Sequence, residues 1–325
     1  MAIDRRPNIV TRRVRILFLV LGAAFIGLNS AAIIITRKYN EIKKIDEFVP
    51  STHYVTSLND LVKTSYKNIN GNYILMSDIV IKDDSPLKNA TLKGSIDGNG
   101  FNIYVSGNIK NSIIHSIAKG AVVKNLGVYY SDCSFEDLEA DFGGLATYNE
   151  GKIENCFSYI NASLEKASLF GGLVAYNKGT IKHTLSDITI VENTNYIDNY
   201  AIGGIAAADM NGEIEKCYSA LTSDYITKNR DAILSHEAFA SLEGNFIATK
   251  TKNTKLKSLY SVQTMLPHID RYYDGIKYVD SDEVKPELFL SDDYDLQFSS
   301  EIWDMSQTQF DKKLVDYCSV KKEEH

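Results

Sequence analysis

A helical zinc peptidase needs two histidines four residues apart, with a glutamate beside the first. The chain comes nearest at His236-Glu237-Ala238-Phe239-Ala240, where alanine stands in place of the second histidine. His268 follows no matching pattern, so His236 reads as a surface residue of its segment. Polysaccharide lyases and hydrolases need carboxylates around calcium with a base beside them, or two carboxylates at a set separation. The acidic clusters are Asp83-Asp84, Asp280-Ser281-Asp282-Glu283 and Asp292-Asp293, each in turn-like polar surroundings. Beyond residue 37 only Arg230 and Arg271 offer a guanidinium. Asp97-Gly98-Asn99-Gly100 lacks the spacing and terminal glutamate of a calcium loop, and reads as a tight turn. Glycine-rich phosphate loops, Gly-x-Ser-x-Gly and Cys-x-x-Cys do not occur. These residues assign no catalytic, cofactor-binding or metal-ligating site.

The elements around them carry a stronger signal. Phe142-Gly143-Gly144-Leu145-Ala146-Thr147-Tyr148-Asn149-Glu150-Gly151-Lys152-Ile153 is nearly repeated by Phe170-Gly171-Gly172-Leu173-Val174-Ala175-Tyr176-Asn177-Lys178-Gly179-Thr180-Ile181. A third copy runs through Ile202-Gly203-Gly204-Ile205, Asn211-Gly212-Glu213-Ile214 and Cys217-Tyr218-Ser219. Leu173 and Ala175 alternate with Val174 and Tyr176, the period-2 pattern of a strand. Asn-x-Gly or Asn-Gly then supplies a turn, because both residue types tolerate positive φ. A helix would suffer from the glycine pairs by about 1 kcal/mol each relative to alanine. Strand, turn, strand at a period of roughly 30 residues predicts an all-β, parallel β-solenoid of about five or more coils. Leu145, Leu173 and Ile205 should form one inward column, and Ile153, Ile181 and Ile214 another; Lys178 and Lys182 should point outward. The competing architecture is a β-sandwich of similar hairpins.

These motifs resemble the GLUG repeats of bacterial surface proteins, found in adhesin-like proteins and beside immunoglobulin A-cleaving metallopeptidases. Leu58-Asn59-Asp60-Leu61 and Gly71 to Ile79 resemble the opening segment, Leu92 to Ile103 the next coil, and Phe298 to Met305 the closing segment. The similarity spans residues 56–306, with repeats at 142–164, 170–192 and 202–224; residues 225–245 and 264–290 match poorly. Where the family signature ends in glycine, this chain has Thr147, Ala175 and Ala207. The resemblance implies a right-handed parallel β-helix with short helical capping segments, displayed at a bacterial surface. The peptidase motif is missing.

The N-terminus fits display. Ile16 to Thr36 is an uncharged run of 21 residues, and as a helix it would span about 31 Å, the thickness of a bilayer core. Arg5, Arg6, Arg12, Arg13 and Arg15 precede it, favouring a cytoplasmic N-terminus. We expect a basic tail at 1–15, an uncleaved signal-anchor at 16–36, a stalk at 37–55, an exported β domain and a polar tail at 307–325. A cleaved signal ending near Ser30-Ala31-Ala32 competes, but Ile33-Ile34-Ile35 continues the apolar run past it. The net charge is −7, and the five arginines against Asp4 in residues 1–15 leave −11 for the remainder. Such acidity argues against a nucleic-acid partner, and Lys250, Lys252, Lys255 and Lys257 read as a solvated face.

Cys156 and Cys217 hold one repeat position, with Thr184 between them. Two coils separate them by about 9.6 Å, beyond the roughly 7 Å that a disulfide spans between Cα atoms. They should be free thiols in the column Leu126, Cys156, Thr184, Cys217, Leu259; Cys133 and Cys318 lie outside that register. Tyr129, Tyr130, Tyr148, Tyr176 and Tyr218 are candidates for aromatic ladders that bind a glycan or protein partner.

Overall fold

Each repeat closes one turn of chain and lays its strands on those of the previous turn. The computed structural model describes residues 51–62, 67–135, 138, 141–164, 169–192, 201–223, 242–244, 247–262, 274–279, 284–305 and 319–320. The basic tail, the expected membrane helix 16–36 and the stalk up to residue 50 lie outside these. Among the described residues, no helix is long and apolar enough to cross a membrane.

The middle copy shows the plan. Leu169–Gly171 belongs to a four-stranded sheet 1, and Val174–Asn177 to a seven-stranded sheet 2. Thr180–Lys182 belongs to an eight-stranded sheet 3, and Leu185–Glu192 to an eight-stranded sheet 4. Within these sheets every pairing is parallel. Parallel neighbours need a long crossover, and here the crossover is the rest of the coil. Among the described residues the stack is thus an all-β parallel solenoid with eight levels in sheets 3 and 4. It begins at Thr52–Val55, a strand paired with Asn72–Leu75 inside the stretch read as stalk. A single-turn helix, Asn59–Val62, follows, and Leu58 and Leu61 enter the core beside it.

The inward columns take the expected places. Leu145, Leu173 and Ile205 are buried and joined by backbone bonds from coil to coil. Ile153, Ile181 and Ile214 are buried and in register. Leu126, Cys156, Thr184, Cys217 and Leu259 are all buried, and the described cysteines are free. Strict alternation fails beyond Leu173, where Val174 and Ala175 are both buried. The chain turns a corner there between sheets 1 and 2, so both sides of the backbone meet protein. The glycine pair makes that corner possible: a Cβ on Gly144 would stand 2.2 Å from the carbonyl oxygen of Gly172, one coil away.

Three further columns lock the register. Asn149 donates to Asn177, which donates to Asp209, at 2.8 and 2.7 Å. Asp209, an acceptor only, closes that directional ladder and also receives Gly212 N–H and the Thr254 hydroxyl. After sheet 3, Asn125, Asn155, His183, Lys216 and Ser258 all have φ between 48° and 54°, the left-handed region that asparagine tolerates best. On the outer face of sheet 3, Asp97, Lys124, Glu154, Lys182, Glu215 and Lys257 follow one another in register, with alternating charge.

Residues 284–305 depart from the coil plan. A helix, Pro286–Leu290, leads into a strap across the outer face of sheet 4. Its Leu288, Phe289, Leu296, Phe298, Trp303 and Met305 are buried with Phe157, Leu185, Tyr218 and Tyr260 of that sheet. Trp303–Asp304 pairs antiparallel with Ser319–Val320, which places part of the expected polar tail in regular structure.

Candidate functional site

Two tyrosine ladders stand on the outside of the solenoid. On sheet 4, Val80, Tyr104, Tyr129 and Tyr159 occupy one register position in successive coils. Tyr104 and Tyr129 stack at 5.1 Å, and Tyr159 tilts against Tyr129 at 6.2 Å. On sheet 2, Tyr148 and Tyr176 stack at 5.0 Å with their rings 4° from parallel, and His115 meets Tyr148 edge-on. Tyr148 is 40% exposed and Tyr104 37%. Of the five tyrosines picked out in the sequence, Tyr129, Tyr148 and Tyr176 join these ladders. Tyr130 is instead buried, donating its hydroxyl to Gly144 O at 2.6 Å, and Tyr218 lies beneath the strap. Tyr104, Tyr159 and His115 were not singled out, although Tyr104, Tyr129 and Tyr159 recur at nearly one coil's spacing.

Stacking decides what the ladders offer. Rings packed face to face shield each other's π surfaces and present edges and hydroxyls outward. Tyr104 ends its ladder, because the next position holds Val80, an aliphatic residue 77% exposed. Among the described residues, one ring face there has no aromatic neighbour. Asn102 donates to the Tyr104 hydroxyl at 3.3 Å, so a polar group borders the stripe. Tyr176 donates to Asp141 at 2.8 Å; burial and that carboxylate push its phenol up to about 12. The surface thus supplies apolar contact and neutral hydrogen-bonding groups.

Charged chemistry is less developed. Burial raises the Asp84 carboxyl, but bonds from Lys88, the Lys110 backbone and Asn111 outweigh it and leave it below the ordinary range. Asp83 accepts from the Asn108 backbone, so both members of that cluster hold a turn. Asp97 accepts from Asn99 N–H and Asn125 and pairs with Lys124, the tight turn expected of Asp97 to Gly100. Ser291 bonds the exposed Asp293. Asp280 to Glu283, His236, His268, Arg230, Arg271 and Cys318 lie outside the described residues. Among the described residues, no group of three His, Cys, Asp or Glu is placed to hold a metal. Burial pushes the thiols of Cys133, Cys156 and Cys217 up to about 12, which keeps them protonated and poorly nucleophilic. Lys255 and Lys257 are exposed on sheet 3, where Lys257 pairs with Glu215.

Compared with protein-family models, curated proteins and solved structures, the chain matches none.

Proposed function

We propose that this chain is a membrane-anchored, surface-displayed β-solenoid that acts as a non-catalytic binding, adhesion or envelope-scaffold module. The observation that carries the reading is the tyrosine stripe of sheet 4, where the exposed Val80 and Tyr104 lead into the partly buried Tyr129 and Tyr159. Apolar side chains on a solvent-facing sheet gain by contact with a partner, and tyrosine adds hydroxyl bonds at its rim. The charge-free run Ile16 to Thr36 and the arginines before it support an anchor with the N-terminus inside. The repeat's resemblance to GLUG proteins supports a bacterial cell surface and a glycan or protein partner there. Processing of surface polysaccharide is the runner-up, and a structural place in a larger envelope assembly is a third possibility. The carboxylates of Asp83, Asp84 and Asp97 hold turns, so they give the enzymatic reading no support.

Two measurements test this. Protease added to intact cells should degrade the solenoid; survival until the membrane is breached would reverse the topology. Arrays of surface glycans and envelope proteins should then retain the chain, and Tyr104→Ala with Tyr129→Ala should weaken that retention at least tenfold. Binding that ignores both substitutions would remove the stripe from the reading. Turnover of any polysaccharide in the same screen would replace binding with catalysis.

A further inference from the structure

Two buried polar atoms lie unpaired where the strap meets the solenoid, one of them on a histidine. Phe298 packs edge-on against the His183 ring at 5.6 Å, and Trp303 lies against Phe298 at 5.2 Å and Phe157 at 6.4 Å. His183 Nε2 and Trp303 Nε1 are both buried with no hydrogen-bond partner among the described residues. Each unpartnered buried polar atom costs folding free energy that a well-paired one does not. The coils are tied by backbone ladders, whereas the strap rests on apolar rings together with polar ties. Those ties include Lys216 to Gln297 at 2.6 Å and Lys277 to Asp295 at 2.8 Å.

His183 also breaks its column. Asn155 and Asn125 fill the same left-handed position one and two coils earlier, and their side chains bond to each other. His183 replaces that neutral amide with a group that gains a proton in mild acid. The charged groups around it are Lys182 beside it, Lys216 and Glu215 in the next coil, and Glu154 in the previous one. Glu215 is already bonded to Lys182 and Lys257, and Glu154 to Lys152. The strap meets the ring with Phe298, and its Asp295 is engaged by Lys277.

We propose that residues 284–305 are an acid-released cover, and that protonation of His183 lifts them off and bares Phe157, Leu185, Tyr218 and Tyr260. These residues continue the tyrosine stripe directly, since Phe157 meets Tyr129 edge-on at 5.0 Å. Release would therefore extend the proposed binding face toward the C-terminal coils. The inference rests on the reading of that stripe as a binding face only for its biological use; the release itself does not depend on it.

The sign follows from linkage. Burial, with Lys182 and Lys216, lowers the covered His183 from 6.5 to about 4. An uncovered ring titrates nearer its ordinary value, so the open state takes up the proton first. The contribution of neutral His183 to the cover is fully present above pH 6.5 and is lost as pH falls toward about 4.

Trp303, the only tryptophan in the chain, lies inside the strap and reports the event without any ligand. The full chain in detergent should show a red shift of tryptophan emission as pH falls from 6.5 toward about 4. Its far-ultraviolet β signal should stay constant. His183→Asn, which restores the residue of the two earlier coils, should abolish the shift in that window. An emission that stays blue in the unaltered chain, or shifts equally in His183→Asn, would overturn the proposal. Should His183→Asn expose Trp303 already at neutral pH, the His183 ring titration followed by NMR in the unaltered chain decides. Its midpoint must coincide with the tryptophan shift, and titration without any movement of Trp303 refutes the cover. Failure here leaves the tyrosine-substitution test of the stripe untouched.

Discussion

Leu173 is fully buried at the centre of a column, with Leu145 one coil before it and Ile205 one coil after. Truncating it opens a cavity whose walls cannot collapse, because both neighbours are fixed by their own coils. Leu173→Ala should cost about 2–5 kcal/mol. Lys178 stands outside in the same copy, pairing loosely with Glu150 at 3.6 Å, each about half exposed. Lys178→Ala should stay within about 0.5 kcal/mol, and denaturant melts of the two variants measure the contrast. Equal costs would break the register. Lys182 does not share that neutrality: although its position faces outward, it is half-buried and pairs with Glu215 at 3.2 Å. The repeat alone told inward from outward at Leu173 and Ile181, but it did not tell a free lysine from a bonded one.

At the scale of elements, sheet 3 carries the clearest electrostatic device. Its outer column alternates Asp97, Lys124, Glu154, Lys182, Glu215, Lys257. A slip of one coil would set like charges side by side. The ammonium of Lys257, ahead of that of Lys182, holds the Glu215 carboxyl below its ordinary range despite burial. Glu215→Lys would line up three lysines in successive coils. It should lower the melting midpoint more than Glu150→Lys does, and added salt should narrow the gap. Equal midpoints at low salt would show that the alternation does not hold the register.

This alternation is legible in the sequence once the repeats are aligned, since each charge directly follows a column isoleucine or its counterpart. The left-handed column was not, because Asn155, His183, Lys216 and Ser258 share a backbone shape and no side-chain chemistry. The early coils were harder still: Thr52–Val55 and Asn68–Ile69 lack the Gly-Gly corner and reveal themselves only by pairing. For the candidate site, periodicity pointed to tyrosines but could not separate Tyr129 from Tyr130. That distinction depends on which face of a sheet-4 strand looks outward. Nor could it foresee the strap, because the contact between Phe157 and Trp303 joins distant segments with no shared pattern.

For the whole molecule, the account stands on one geometric statement: successive copies lie directly on one another in a single parallel stack. Ser95 and Lys255 occupy the same outward column of sheet 3, five coils apart through residues 122, 152, 180 and 213. Five steps of about 4.8 Å place their backbones about 24 Å apart. Spin labels on Ser95→Cys and Lys255→Cys read that separation by pulsed electron resonance. Cys133 and Cys318 are replaced by serine for the purpose, while the buried Cys156 and Cys217 are left in place. The solenoid predicts one narrow distribution centred near about 24 Å, broadened by the label tethers. A broad distribution, or one centred a coil or more away, would contradict the stack and the binding face built on it.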